Sequence, residues 1–499
     1  MHKFFIAGAR TAVQLASQSS SSSSRPSRIG AILVASAALT LAACGGGSSS
    51  PVVATAAPST PAAQPASATP STPQVLATTH VVSGTVSGLL GTGLVLQNNG
   101  GDDLAIATNG SFTFATALGS GTTYTVTAKS QPNIQTRVCS VANGSGTVAA
   151  ADVVNVTVTC AAPAARFAYT VNQSANSVTA LSVDASTGAV RALPGPDLAT
   201  QTQPVSIAAT PSGRFVYVVN FTSNSLSAYT VDATTGALNP MTVPTVATGF
   251  GPVSVTVHPT GRFAYVVNRG ANTVSGYDID GTTGALSPMT IPTVTTGTSP
   301  FPMAIDPTGR FAYVANASPG SVSAYSVDGS TGALTPLAGP TVAAGGTPIS
   351  ITVDPTGRFV YVANVASNNV SGYSIDAATG ELTPMIVPTV ATAGSAFSVA
   401  VDPTGRFAYV ANSTTSNVSA YNIDAATGAL GPMATPTVAA GSSPFFVTTD
   451  PTGRFAYVAN SGSSNVLGYT LDSTTGALSL MAGPAAATGA GPRGIAFAR

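Results

Sequence analysis

Three side chains able to do chemistry recur together along the chain: a carboxylate, a guanidinium and a phenol, in stretches such as Asp354-Pro-Thr-Gly-Arg-Phe-Val-Tyr-Val-Ala-Asn364. The arginine falls at Arg166, Arg214, Arg262, Arg310, Arg358, Arg406 and Arg454, with 48 residues to each step. An acid, a cation and an ionisable hydroxyl so close together could move protons and hold a developing negative charge. Repetition argues against that use, because a motif carried by every unit serves the building of the unit. Asp354-Pro-Thr-Gly357 has the residues of a type I turn, so Asp306, Asp354, Asp402 and Asp450 read as turn caps. The asparagines at 172, 220, 268, 316, 364, 412 and 460 read as starting the following turn. Folding the chain about that turn places Arg358 opposite Asp376. The same register predicts seven cross-strand ion pairs: Arg166 with Asp184, Arg214 with Asp232, Arg262 with Asp280, Arg310 with Asp328, Arg358 with Asp376, Arg406 with Asp424 and Arg454 with Asp472. Each would contribute about 0.2–1 kcal/mol.

Setting these aside leaves Arg191, Asp197, His258, Arg269, Asp278, Glu381, Arg493 and Arg499 for acid, base or ion-binding roles in the repeats. Strand direction puts His258 on the face that carries the Asp-Pro-Thr-Gly turns, with Arg269 and Arg493 on the opposite face. Glu381 stands in an outer turn where the other copies have mostly alanine, which reads as a solvated carboxylate. No acid and base converge by spacing. One series shares a single position of the innermost strand and so meets at a channel mouth: Val205, Val253, Phe301, Ile349, Phe397, Phe445 and Arg493. Phe301, Phe397, Phe445 and Arg493 are the candidate ligand-binding residues there, suited to a small carboxylate or a partner's hydrophobic side chain. The alternative is that they pack beneath the neighbouring loops.

The elements that position these residues are short strands. In the copy around Arg358, strand A is Pro348 to Val353, B is Arg358 to Ala363, C is Asn369 to Ile375 and D runs from Leu382 to about Val390. Four-stranded antiparallel sheets repeated seven times predict an all-β fold, a seven-bladed β-propeller. The first unit lacks its own strand A, and Pro492-Arg-Gly-Ile-Ala-Phe497 supplies it, six periods after Pro204. The C-terminal strand is therefore expected to close the ring and to pair an otherwise exposed edge. On strand A a large apolar series (Ile207, Val255, Met303, Ile351, Val399, Val447, Ile495) alternates with a small one (Ala208, Thr256, Ala304, Thr352, Ala400, Thr448, Ala496). Large facing small lets radial sheets interdigitate where they converge.

The rest of the chain is organised differently. Only 17 basic and 17 acidic residues occur in 499, and Lys3 and Lys129 are the only lysines, so no basic field exists for nucleic acid. Residues 1–44 read as an export signal, with an apolar core from Ile29 to Ala43. Its end, Leu41-Ala-Ala-Cys44, resembles the lipobox of bacterial lipoproteins. That resemblance implies a lipid on Cys44, a membrane partner and, with Gly45 next, an outer-membrane address with the leaflet open. Residues 45–78 are a Pro, Ser and Ala-rich tether. Residues 79–161 carry short strands with Asn98-Asn-Gly-Gly101 and Asn109-Gly110 as hairpin turns, and suit a small β-sandwich of immunoglobulin-like or prealbumin-like type. Cys139 and Cys160 remain to pair as a disulfide in an exported chain, the alternative being two buried thiols; too few ligands accompany them for a metal. The propeller is assigned to 162–499, with no cofactor and a monomeric state.

Tyr361-Val-Ala-Asn364, Tyr313-Val-Ala-Asn316 and Tyr265-Val-Val-Asn268 resemble YVTN repeats, and the region from Arg166 to Arg499 is similar to the seven-bladed propeller lactonases that include 6-phosphogluconolactonase-like enzymes. The resemblance implies lactone hydrolysis by a set comprising Pro-Arg-His at the start of a strand A, a later His-Pro turn and a glutamate after a Tyr-Val-x-Asn segment. Here His258-Pro259 belongs to a copy that begins Pro252-Val-Ser254, Arg269 stands in place of the glutamate, and Pro492-Arg493 is followed by Gly494. The set is thus present in pieces, as Arg269, Arg493 and His258. Two functions follow as expectations: first, a cell-envelope lipoprotein whose propeller binds or displays without catalysis; second, a lactonase opening a sugar lactone. An export signal speaks against a cytosolic role on phosphorylated sugars.

Overall fold

In the computed structural model, which describes residues 78–90, 92–132, 137–161, 165–339 and 341–498, the regular elements are strands. Cys44, the signal and the tether lie outside the described residues, as does Arg499. The repeats form seven sheets, each with strand A innermost and strand D outermost. In blade 5 the order is A (Pro348–Val353), B (Phe359–Asn364), C (Asn369–Ile375) and D (Leu382–Ala391). Blade 1 borrows its strand A from the C-terminus: Pro492–Ala498 runs antiparallel to Phe167–Asn172, with Phe167 opposite Ala498 and Tyr169 opposite Ala496.

Strand B is a continuous apolar run because neighbouring blades cover both of its faces. All six of its residues are buried in blade 5. Phe359, Tyr361 and Ala363 face Ala408 and Val410 of blade 6, whereas Val360 and Val362 face Phe311, Tyr313 and Ala315 of blade 4. These interfaces set aromatic rings against small side chains, which lets radial sheets interdigitate. Strand A follows the same rule. Ile207 packs into the interface with blade 1, while Ala208 lies against the interface with blade 3. The outer strands D end the sheets, and Pro384 and Pro388 in blade 5, like Pro240 and Pro244 in blade 2, remove the amide donors on which a foreign strand could pair.

The cross-strand ion pairs do not form. Strand B pairs with C so that Phe359 faces Ser374, and the amide of Ile375 donates to the carbonyl of Arg358 at 2.8 Å. Arg358 therefore lies opposite Ile375 rather than Asp376, one residue away from the expected register, and a one-residue slip reverses the face on which each side chain lies. The arginine turns to the next blade instead. Arg214 donates to the carbonyls of Gly281 and Thr282 at 3.2 and 3.1 Å, Arg358 donates to that of Ala425 at 2.7 Å, and the guanidinium of Arg358 lies 4.9 Å from the ring of Phe359. Asp376 accepts the amides of Ala378 and Thr379 at 2.9 and 2.8 Å, holding the turn from C to D. Among the described residues the Lys129–Asp103 ion pair and the contact of His80 with Asp152 at 3.6 Å lie before the ring.

The strand-end asparagines are fully buried and brace strand C, as where Asn268 donates to Thr273 and Ser275 at 3.1 and 2.8 Å. The turn itself is made four residues later by a residue with positive φ, such as Asn224, Asn272 or Asn368. Asn224 and Asn272 also accept the amides of Gly251 and Ser299 in the loop that enters the next blade.

Before the ring, two four-stranded sheets face each other. Gly110–Thr113, Val82–Ser87, Val153–Ala161 and Val138–Ala142 form one; Asp102–Ile106, Leu94–Asn98, Thr123–Ser130 and Ser145–Thr147 form the other. Val82, Leu94, Leu96, Phe112 and Val158 are among the residues that fill the space between them. Asn99 and Gly100, with φ of 49° and 72°, make the expected hairpin turn. Asn109-Gly110 does not: it carries the chain from one sheet to the other, and Asn109 ties that crossing to Leu89 through both its amide and its carbonyl. Cys139 and Cys160 sit opposite each other on adjacent antiparallel strands and form a disulfide.

The C to D turns give the ring an acid limit. Hydrogen bonds, led by the Thr235 amide at Asp232 and the Thr475 amide at Asp472, hold these carboxyls below their usual 3.8. A depressed folded pKa contributes stability that is complete above the unfolded value and is lost as pH falls through the folded value. The melting temperature is therefore expected to stay level from about pH 7 to 5 and to fall below about pH 4. A melting temperature that stays level down to pH 2 would contradict this assignment of the seven aspartates.

Candidate functional site

The innermost strands leave a channel, and its two ends differ in chemistry. The end formed by the A to B turns is lined by Pro211, Pro259, Pro307, Pro355, Pro403 and Pro451, together with Leu90 and Arg137 of the sandwich, around a cavity of about 450 Å³. His258 belongs to one of these turns. It is buried, with Nε2 2.9 Å from the carbonyl oxygen of Gly309 in the next blade and its ring 5.6 Å from that of Phe263. A carbonyl only accepts, so Nε2 carries the proton and Nδ1 accepts from the hydroxyl and amide of Thr260, at 2.8 and 3.2 Å. Asp306 does the same in blade 4, where its carboxylate accepts from the amide and hydroxyl of Thr308. Burial pushes the His258 pKa down and favours the neutral ring. His258 is a turn cap that happens to be an imidazole.

The opposite end carries the D to A loops and the B to C turns. There Val205, Val253, Phe301, Ile349, Phe397, Phe445 and Arg493 line one cavity of about 390 Å³, and Arg269 lines it as well. The guanidinium of Arg493 lies 4.1 Å from the centre of the Phe445 ring, and Phe445 lies 5.2 Å from Phe397. These three come from consecutive blades and make one continuous wall. Arg269 stacks over Phe301 at 4.6 Å, in a different sector. Each stack of cation on ring is worth about 0.5–2 kcal/mol, more as water is removed.

Arg493 is half-buried, and its Nε has no hydrogen-bond partner. Burial holds its pKa below the usual arginine range, yet a guanidinium keeps its charge in a protein. No Asp, Glu or His is among the residues lining this cavity. The mouth therefore presents two cations without a counter-ion against aromatic walls, an arrangement that can hold a carboxylate or draw charge onto a carbonyl oxygen.

The other charged candidates lie elsewhere. Asp197 accepts from Asn172 and Ser177 at 3.3 Å each and braces blade 1. Arg191, Asp278 and Glu381 are exposed, and Glu381 borders a groove outside blade 4 with Gly339 and Tyr325. Sequence reasoning placed Arg269 on this face but missed Gln173 and Phe221, which occupy the same position after the strand-end asparagine in blades 1 and 2 and complete an arc of the rim with it. Comparing that position across the copies would have exposed it, since the later copies carry Ala317, Val365, Ser413 and Ser461 there.

Fold and site together define a closed seven-bladed propeller with a cationic, aromatic mouth. A family model described as lactonase, 7-bladed beta-propeller, matches residues 132–248, 242–349, 348–443 and 435–499, and the chain belongs to that family. Similar solved structures include a candidate 6-phosphogluconolactonase of Bacteroides uniformis, at 19% identity and a TM-score of 0.57, covering 66% of this chain and 99% of that one. A second candidate 6-phosphogluconolactonase, from Bacteroides fragilis, is 20% identical with a TM-score of 0.58, covering 67% and 98%. A periplasmic gluconolactonase of Pseudomonas aeruginosa is 19% identical with a TM-score of 0.56, covering 67% and 99%. At these identities the likeness is one of fold. No curated protein matches the chain.

If His258 only caps a turn, His258→Asp should install the residue of blades 4 to 7, keep the bonds to Thr260, cost at most the one bond to Gly309, and leave any ligand affinity unchanged. His258→Ala should lose about 1–2 kcal/mol of stability. Loss of ligand binding in a stable His258→Asp protein would return the imidazole to the site.

Proposed function

We propose that the protein is a lactonase acting at the Arg493 mouth, a hydrolase that opens a lactone to its hydroxy acid. The observation that carries this reading is a half-buried guanidinium, free at Nε, set in an aromatic cavity of a propeller from the lactonase family. Arg493 would donate to the carbonyl oxygen, on which negative charge grows as water adds to the carbonyl carbon. The added water gives up a proton to solvent, the tetrahedral intermediate collapses with cleavage of the ring C–O bond, and the alkoxide takes a proton from solvent. The carboxylate that forms on the same carbon would stay on Arg493, with Arg269 adding positive potential from across the cavity. With no carboxylate or imidazole in the lining, water or hydroxide attacks from the open side without a protein base. An exported lipoprotein anchored through Cys44 in the outer membrane is part of the same proposal and rests on Leu41-Ala-Ala-Cys44.

A second reading, binding or display without turnover, is favoured by that same lack of a base. Hydrolysis of glucono-δ-lactone by the purified protein, above the spontaneous rate, separates the two. The lactonase reading expects kcat/KM to rise steadily with pH, without an inflection from an imidazole, and to drop about 10²–10³-fold in Arg493→Gln. A wild-type rate equal to the spontaneous one on both glucono-δ-lactone and the apolar γ-phenyl-γ-butyrolactone would leave only the binding module.

A further inference from the structure

We infer that the mouth selects an anion with an apolar body, an aryl or alkyl carboxylate or the lactone that yields it, rather than a polyhydroxylated sugar acid. This rests on the mouth being the ligand site. Of the six neutral polar side chains of the lining, Ser206, Ser350, Ser398 and Gln203 are already engaged in the ring, which leaves Gln173 and Ser254. Ser206 accepts the amide of Val255 at 3.2 Å, Ser350 that of Val399 at 3.1 Å and Ser398 that of Val447 at 3.3 Å, each across a blade interface. Gln203 accepts the hydroxyl of Thr222 at 2.6 Å through its side-chain oxygen. A sugar acid brings a hydroxyl on nearly every carbon, and each one stranded against Phe or Val loses its water without gaining a partner.

The walls favour the opposite kind of ligand. Phe397 and Phe445 tilt against each other beside Arg493, so a carboxylate on the guanidinium places its own carbon skeleton along two rings. Arg269 on Phe301 offers a second cation across the cavity. Both guanidinium planes are held by stacking, which fixes their donors before a ligand arrives. About 390 Å³ is enough for a small aromatic or medium-chain acid.

Calorimetric titration of the purified full-length protein tests this, with 4-phenylbutyrate, gluconate, 6-phosphogluconate and the uncharged 4-phenylbutanol as probes. We expect 4-phenylbutyrate to bind at least about tenfold more tightly than either sugar acid and than the alcohol. Arg493→Gln should weaken it by about tenfold or more, and Phe397→Ala severalfold, both in proteins whose melting temperature matches the wild type. If Arg493→Gln fails to fold, Arg269→Gln carries the same expectation. Sugar acids binding as tightly as 4-phenylbutyrate, an alcohol binding as tightly as the acid, or binding of none of the probes would each overturn the inference. The lactonase reading fails separately. Binding of 4-phenylbutyrate without turnover of γ-phenyl-γ-butyrolactone or gluconolactone would keep the inference and remove the activity. Turnover of gluconolactone undiminished by saturating 4-phenylbutyrate would remove the inference and keep the activity.

Discussion

The hydroxyl of the strand B tyrosine, donating across a blade interface to the carbonyl of a turn glycine, is the contact on which the rest of the ring depends. Tyr361 reaches Gly428 at 2.7 Å, and Tyr457 reaches Gly188 at 2.7 Å across the closure. The glycine is obligatory twice over. Gly428 has φ of 74°, and a Cβ there would meet the Phe359 ring at 2.5 Å. Phenylalanine, tyrosine and arginine of one blade thus bind a single turn of the next: the ring beneath it, the hydroxyl at its end and the guanidinium at its start. A blade alone would expose this surface, so the seven stand or fall together.

Such a ring has consequences for chemistry. Repetition fixes the motif to construction, so sites arise where a copy departs from the others. At the Pro-lined end the ionisable departure is His258, beside Thr210 in blade 2, and the turn absorbs it by using the imidazole as a carboxylate would be used. At the other end Arg493 departs from six apolar residues, and nothing absorbs it. The same substitution of type, a polar residue at one repeat position, is structural in one place and a candidate site in the other. What separates them is whether local partners are within reach.

The mouth also shows how family membership and site chemistry come apart. The family model spans the ring, yet the residues that line the cavity are two arginines and an aromatic wall, without an acid or imidazole. A propeller tolerates this because the Tyr to Gly contacts and the apolar interfaces lie behind the mouth and hold the blades whichever loop-facing residues vary there. Loop-facing positions are therefore free to change while the Tyr to Gly contacts persist.

The 48-residue period by itself determined the blade count, the four strands of each blade and the closing role of Pro492 to Phe497, because side-chain alternation and turn residues are local properties that a repeat displays seven times. It also determined which strand A residues meet at a mouth, since positions at equal depth must form a circle. The partner of each arginine was decided only in three dimensions. The register of strands B and C shifted by one residue from the simple hairpin count, because the turn closes at a positive-φ residue such as Asn368, and that shift sent Arg358 to the next blade and Asp376 to its own turn. The joining of Gln173, Phe221 and Arg269 to the strand A series likewise belongs to tertiary structure. Sequence spacing measures distance along a strand, whereas the mouth is defined by how far each turn folds over the axis.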